Sequence, residues 1–247
     1  MKGKTLFVTG GNVGIGLATA LAFAHEGANV AILARRADKN EQARALIEAQ
    51  GVRCLTFAAD ANDESALARA IAQSAAALGG VHYAFNNVGV SQRGAPLSEL
   101  TESDYQEQMN GNVKCTYLAM KHEIPVIIAS GGGAICNNAS ASGLSATAYQ
   151  ALYSAAKFAV VGLTKATALE LAKSNVRVNV VCPGATTGDM FLRFREEFPE
   201  IAEQALELHP MGRIGRKEEV AQAVLFLCRD ATFTTGLALT VDGGRVN

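Results

Sequence analysis

Leu6-Phe7-Val8-Thr9-Gly10-Gly11-Asn12-Val13-Gly14-Ile15-Gly16 runs from an apolar stretch into a glycine turn, after which Leu17, Ala20, Leu21 and Phe23 recur at helical spacing. This is strand, turn, helix. Gly10, Gly14 and Gly16 let the backbone turn tightly and approach a pyrophosphate. The free N–H groups at the helix start, that of Ile15 among them, favour its negative charge. Asn12 adds a neutral donor. A glycine-rich turn alone is often only a turn, but further strand–helix units behind this one make it a nucleotide site.

Those units follow in order. A strand over 29–33 ends at Ala34-Arg35-Arg36, and a helix with an N-cap of its own runs from Asp38 to 50, closed by Gly51. A strand over 53–57 leads to Asp60, either an N-cap or a partner for an adenine amine. After an alanine-rich helix over 63–78, the strand 81–85 runs into Asn86-Asn87-Val88-Gly89. The pattern then predicts a helix over 101–121, a strand over 134–138, a helix over about 150–173, a strand over 176–181, a helix over 217–228 and a strand over 237–241. Such alternation implies an α/β fold: one Rossmann domain over 1–247, a doubly wound parallel sheet of about seven strands with helices on both faces. The 150–173 helix is apolar on more than one side, at Leu152, Phe158, Val160, Val161, Leu163 and Leu169, which calls for cover from a second subunit.

Composition excludes several classes. Net charge is −1 over 247 residues with both signs dispersed, so nothing marks a nucleic-acid or anionic-membrane surface. The partner is a small molecule. Five cysteines, at 54, 115, 136, 182 and 228, lack CxxC spacing and do not combine with the four histidines as metal ligands. They read as reduced, buried thiols in a cytoplasm. No apolar run approaches the roughly 18 residues of a membrane span, and a strand begins within a few residues of Met1 instead of a signal-peptide core.

Ser140 to Lys157 reads SASGLSATAYQALYSAAK. Tyr153 and Lys157, four apart, share one helix face. A free tyrosine titrates near pH 10, so proton transfer near neutrality requires a shift worth about 4 kcal/mol. An ammonium about 4 Å away in an effective dielectric near 20 supplies roughly that much. Ser140 would hydrogen-bond the reacting oxygen. Tyr117 and Lys121 repeat the spacing, but thirteen residues before Tyr117 stands Asp104 rather than a serine after an apolar strand. That second pair reads as an ordinary helix face.

Taken together these motifs make the chain similar to the classical short-chain dehydrogenase/reductase family, along essentially its whole length. The glycine turn is Thr9 to Gly16, the acid after the third strand is Asp60, and the family's NNAG stands here as Asn86-Asn87-Val88-Gly89. The resemblance implies a catalytic tetrad of Asn112, Ser140, Tyr153 and Lys157, with Asn112 distorting its helix and holding a water in a proton path from Lys157. It implies that Asn87, Gly89, Tyr153, Lys157 and the Pro183-Gly184 segment contact the cofactor, and that the protein is a homotetramer. Where the family has a threonine for the nicotinamide amide this chain has Gly188; Thr186 is carried over in its place, with Thr187 the alternative.

The implied activity is hydride exchange between NADP(H) and a carbonyl or secondary alcohol. NADP is expected over NAD because the acidic acceptor of ribose hydroxyls is missing at Ala34, while Arg35 and Arg36 can bind a phosphate. Residues 186–208 read as a substrate lid whose Met190, Phe191, Leu192 and Phe194 form an apolar wall. From His122 to Ala156 there is no lysine or arginine, so a free, largely apolar ketone or alcohol is expected rather than a substrate on an acidic carrier protein. Arg93, Arg193 and Arg195 could serve a carrier, which keeps 3-oxoacyl-acyl-carrier-protein reduction as an alternative. A nucleotide sensor without chemistry is the other, and it predicts a broken tetrad.

Overall fold

β1 (Thr5–Thr9) is buried along its whole length, and its side chains divide between two cores, Leu6 and Val8 into one and Phe7 into the other. A strand covered on both faces needs no polar side, which is why these residues read as a plain apolar run. The structure is a computed structural model, and it describes residues 1–188 and 207–246. After β1 come α1 (Gly14–His25), β2 (Asn29–Ala34), α2 (Ala37–Glu48), β3 (Cys54–Ala58), α3 (Glu64–Leu78), β4 (Tyr83–Asn86), α4 (Glu102–Gln108), α5 (Cys115–Ala129), β5 (Gly133–Asn138), α6 (Ala151–Leu171) and β6 (Val176–Pro183). Two-residue strands β7 (Thr186–Thr187) and β8 (Gly215–Arg216) precede α7 (Lys217–Arg229) and β9 (Ala238–Val241).

Seven strands form one sheet in the order β3-β2-β1-β4-β5-β6-β9, with every pairing parallel. The strand count and the single doubly wound sheet match the sequence expectation. One core, with Phe23, Ile47 and Val224, packs α1, α2 and α7 on one face; the other, with Leu67, Ile71, Leu118, Ile127 and Leu171, packs α3, α5 and α6 on the opposite face. The winding reverses between β1 and β4, and a crevice at such a point, outside the carboxyl ends of the strands, is where open α/β sheets take ligands. The β7–β8 pair, Thr186 with Gly215 and Thr187 with Arg216, was not foreseen; two residues are too few to show a period.

The elements differ from the sequence reading in three places. Asp60 is not an N-cap: its Oδ1 accepts from Asn62 N at 2.8 Å, and Asp63 caps α3 through Ala66 N at 3.0 Å. α2 begins at Ala37, one residue before Asp38, and its N-cap residue Arg36 makes no side-chain cap. The helix expected over 101–121 is instead α4, opened by the Thr101–Asp104 capping box, then a π turn over Met109–Lys114, then α5 running on to Ala129. Among the described residues no helix is long and apolar enough to cross a membrane, and no cluster of His, Cys, Asp or Glu could hold a metal. All five cysteines are free and buried.

Candidate active site

The glycine turn is built for close approach. A β-carbon on Gly16 would collide with the Gly10 carbonyl, and Asn87 Nδ2 donates to that same carbonyl at 3.0 Å, tying the turn after β1 to the segment after β4. Gly10 and Gly14 have φ of 66° and 57°, a region that favours glycine. Val13 precedes α1 without a side-chain cap, so the first-turn N–H groups, with that of Ile15, are left to a ligand. This cradle fits a dinucleotide pyrophosphate.

Asn12 takes a different part from the one expected. Its side chain is buried; Nδ2 donates to Asn40 Oδ1 at 2.8 Å and to the Arg36 carbonyl at 3.5 Å. Asn40 Nδ2 donates in turn to the carbonyls of Ala34 and Phe57. The amide of Asn12 therefore braces the loop after β2 rather than offering a free donor. Arg35, Arg36 and Asp38 are exposed on that braced loop, and Asp60 is exposed at the end of β3.

The tetrad residues come from four places in the chain. The π turn brings Asn112 inward until it is 1% exposed: Oδ1 accepts from Val90 N at 3.2 Å, and Nδ2 donates to the carbonyls of Val90 and Gln108. Cys115 N reaches back five residues to the Asn110 carbonyl, a pitch that frees backbone groups inside a helix and recurs at functional sites. Gly89 lies between Asn112 and Lys157: a β-carbon there would stand 3.0 Å from Asn112 Oδ1 and 3.2 Å from Lys157 Nζ. Lys157 is 4% exposed, and its Nζ donates to the Asn138 carbonyl at 3.3 Å. Ser140, at the end of β5, accepts from Ser142 N at 3.1 Å, which sets its hydroxyl in a short 3-10 turn. Tyr153 is half-buried in the first turns of α6.

Tyr117 lies on an exposed helix face, and Lys121 pairs with Glu64 at 2.6 Å. Spacing alone did not separate the two Tyr–Lys pairs; burial does. Thr187 Oγ1 accepts from Lys217 N at 3.3 Å, whereas Thr186 Oγ1 donates to the Gly184 carbonyl at 3.0 Å. Pro183 ends β6 and Gly184 follows it, and a β-carbon on Gly184 would meet His209 Nε2 at 2.5 Å, so the chain passes closely here. Of the expected lid, residues 189–206 with Met190, Phe191, Leu192, Arg193, Phe194 and Arg195 lie outside the described residues.

Two supports of this site were missed in the sequence. Gln92 is 5% exposed; its Oε1 accepts from Tyr153 N at 2.8 Å and its Nε2 donates to the Tyr149 carbonyl at 3.3 Å. Beneath the site, Asn86 Nδ2 donates to Glu123 Oε2 and to Asn137 Oδ1, both at 3.0 Å, and Asn137 donates to Thr164 Oγ1 at 2.8 Å. Burial pushes the Glu123 carboxyl up to about 8, against the lowering effect of Asn86. Neither residue has a local signal, because each is defined by partners dozens of residues away.

A family model described as "Enoyl-(Acyl carrier protein) reductase" matches residues 10–245. The chain is 39% identical over 247 residues to a 2,5-dichloro-2,5-cyclohexadiene-1,4-diol dehydrogenase of Sphingobium indicum, covering 99% of this chain and 97% of that one. It is 35% identical over 241 residues to a cyclohexanol dehydrogenase of an Acinetobacter strain, covering 97% and 94%. Carveol dehydrogenase from Mycobacterium avium, solved in complex with NAD, superposes with a TM-score of 0.93 at 26% identity over 99% of this chain and 98% of that one. ElxO, solved with NADP bound, superposes with a TM-score of 0.92 at 31% identity over 99% of each.

Proposed function

This chain belongs to the classical short-chain dehydrogenase/reductase family and acts on CH–OH groups with a nicotinamide cofactor, and on that premise we propose how its own residues perform the reaction. The observation that carries the reading is the convergence of Asn112, Gly89 and Lys157 at the carboxyl ends of β4 and β5, one helical turn from Tyr153. Tyr153 gives the proton to a carbonyl oxygen, or takes it from a secondary alcohol. Ser140 polarises and positions that oxygen. Lys157 favours the ionised phenol by its charge and holds the nicotinamide ribose, and Asn112 keeps a water in line with Lys157 as the path for the proton. The bound dinucleotide supplies or accepts the hydride.

Gly10, Gly14, Ile15 and Gly16 hold the pyrophosphate, Asp60 the adenine, and Asn87, Gly89, Pro183, Gly184 and Thr186 the nicotinamide half. The cofactor is NADP(H), its phosphate taken by Arg35 and Arg36. The substrate is a free small molecule with an apolar body. A reducing cytoplasm suits five free thiols. Exposed Phe158 and Leu169 on α6, with Tyr117 and Ile128 on α5, supply apolar surface for a homo-oligomer, by resemblance a tetramer. The test is NADP-dependent oxidation of a panel of alicyclic secondary alcohols, read by absorbance. Tight cofactor binding with no turnover of any alcohol or ketone would favour a sensor. Carrier-bound 3-oxoacyl chains reduced much faster than free ketones would favour the carrier-protein reaction.

A further inference from the structure

The stretch from His122 to Ala156 has no lysine or arginine, yet the folded loop after Ser140 has a cation against it. Arg245, 98 residues beyond Thr147 in sequence, donates to Thr147 Oγ1 at 2.7 Å, and its same nitrogen reaches Ser142 Oγ at 3.5 Å. Those two hydroxyls are 2.9 Å apart, and Ser142 N is the donor that sets Ser140 Oγ. The base of Arg245 is fixed by a tight turn. Asp242 Oδ1 accepts from Gly244 N at 3.1 Å and Oδ2 from Val246 N at 2.8 Å, across Gly243 and Gly244 at φ of 61° and 88°. That turn lies on the other wall of the site, since a β-carbon on Gly184 would stand 3.0 Å from Asp242 Cα. Arg245 thus spans from the Gly184 wall to the Ser140 loop.

Among the described residues no carboxylate forms an ion pair with Arg245, and both oxygens of Asp242 accept from backbone. A guanidinium has five N–H donors, and two neutral hydroxyls satisfy part of them. Burial pulls the group below its ordinary value, while the charges of an ionised Tyr153 and of Asp242 oppose that pull, so the reacting phenol is within its electrostatic reach. A half-buried cation whose hydrogen bonds here go to neutral hydroxyls, with the Asp242 charge acting on it from beyond ion-pair distance, is costly until an anion pairs with it.

We propose that Arg245 anchors a carboxylate carried by the alcohol or ketone that reacts at Tyr153. The proposal rests on the assignment of Tyr153 above and gives the apolar substrate body one charged end. Planar guanidinium and planar carboxylate pair through two parallel hydrogen bonds, and the pair would fix which face and which carbon of a ring meets the hydride.

The test compares cyclohexanol with 4-hydroxycyclohexanecarboxylate, and measures cyclohexanecarboxylate binding to the enzyme–NADP complex by calorimetry. Wild type should favour the hydroxy acid in kcat/KM by about tenfold or more, mainly through KM. In Arg245→Met that ratio should fall to about one and cyclohexanecarboxylate binding should be lost; Arg245→Lys, which keeps the charge but not the fork, should retain part of both. If wild type prefers the neutral alcohol, or if Arg245→Met leaves the ratio and the carboxylate binding as they were, the proposal is overturned. If wild type oxidises neither alcohol, the functional reading has failed at Tyr153. Calorimetry then decides the anchor alone, sustaining it when wild type binds the carboxylate and Arg245→Met does not, and overturning it otherwise. Should Arg245→Met fail to fold, the wild-type preference and Arg245→Lys carry the same decision.

Discussion

Lys157 Nζ stands 5.6 Å from the centre of the Tyr153 ring. The ammonium lies over the ring, and the same nitrogen donates to the Asn138 carbonyl at 3.3 Å. The phenol oxygen is the one atom that proton transfer requires of Tyr153. Tyr153→Phe should therefore leave the dissociation constant for NADPH within about twofold and lower kcat by about a hundredfold or more. Stopped-flow binding together with steady-state rates checks both halves, and retention of most of kcat would end the assignment. Tyr117→Phe should change neither.

The cofactor preference depends on the loop that Asn12 and Asn40 brace. A phosphate near −2 is repelled by a carboxylate and bound by guanidinium, and Arg35 and Arg36 are exposed where β2 ends. Each charge-assisted hydrogen bond is worth about 1.5–3 kcal/mol, so the double substitution to alanine should raise KM for NADPH about tenfold or more and leave that for NADH nearly as it was. A wild-type kcat/KM higher with NADH than with NADPH would make Asp38 the residue to test instead.

Gln92 acts on Tyr153 through backbone. The N–H of Tyr153 belongs to the first turn of α6, where no residue of the helix can accept from it, and Gln92 Oε1 fills that place. Gln92→Met keeps the length and removes the acceptor. It should lower kcat about tenfold at unchanged KM for cofactor. Gln92→Glu keeps the acceptor for Tyr153 N but sets an oxygen against the Tyr149 carbonyl, so it should restore only part of the rate, whereas a purely steric role would be served equally well by methionine.

Glu123 makes stability depend on pH. Its folded-state value of about 8 lies above the ordinary 4.5 because burial disfavours the charge. The folded chain therefore holds this proton more tightly than the unfolded chain does. Stability from this group is full below about pH 4.5, declines as the pH rises towards 8 and is flat above that. Glu123→Gln, neutral throughout, should melt with little pH dependence over that window and should be the more stable protein at pH 8.5, by on the order of a few kcal/mol. Calorimetry across pH 5–9 measures it; parallel curves for the two proteins would show that Glu123 is ionised in the fold.

The sheet was legible because its strands are buried on both sides, and β1 and β5 therefore read as apolar runs bounded by glycine. The residues of the tetrad were legible through the spacing of Tyr153 and Lys157 and through family motifs. What sequence withheld was of another kind. Asn12 and Asn40 are 28 residues apart and meet only because β1 and β2 are neighbours. Arg245 joins a stretch that looked free of cations because the turn after β9 is packed on Gly184. Asp60 and Asp63 both suit an N-cap, and the choice turned on where the backbone first became helical.

The π turn between α4 and α5 has a consequence for how this site can be altered. It holds one residue more than an α turn covering the same span, so no substitution within Met109–Lys114 restores a straight helix; a deletion does. Removing one residue there would let the turn close to α pitch with α5 still in phase with α4, so that Leu118, Met120 and Ile127 stay against the sheet, but Asn112 would lose the inward position that the wide turn gives it. Tolerance to change in this segment is thus a matter of chain length before it is one of residue type. A scan of single deletions across 109–114 should inactivate the enzyme at every position, while many point changes at exposed Asn110 and Lys114 should pass unnoticed.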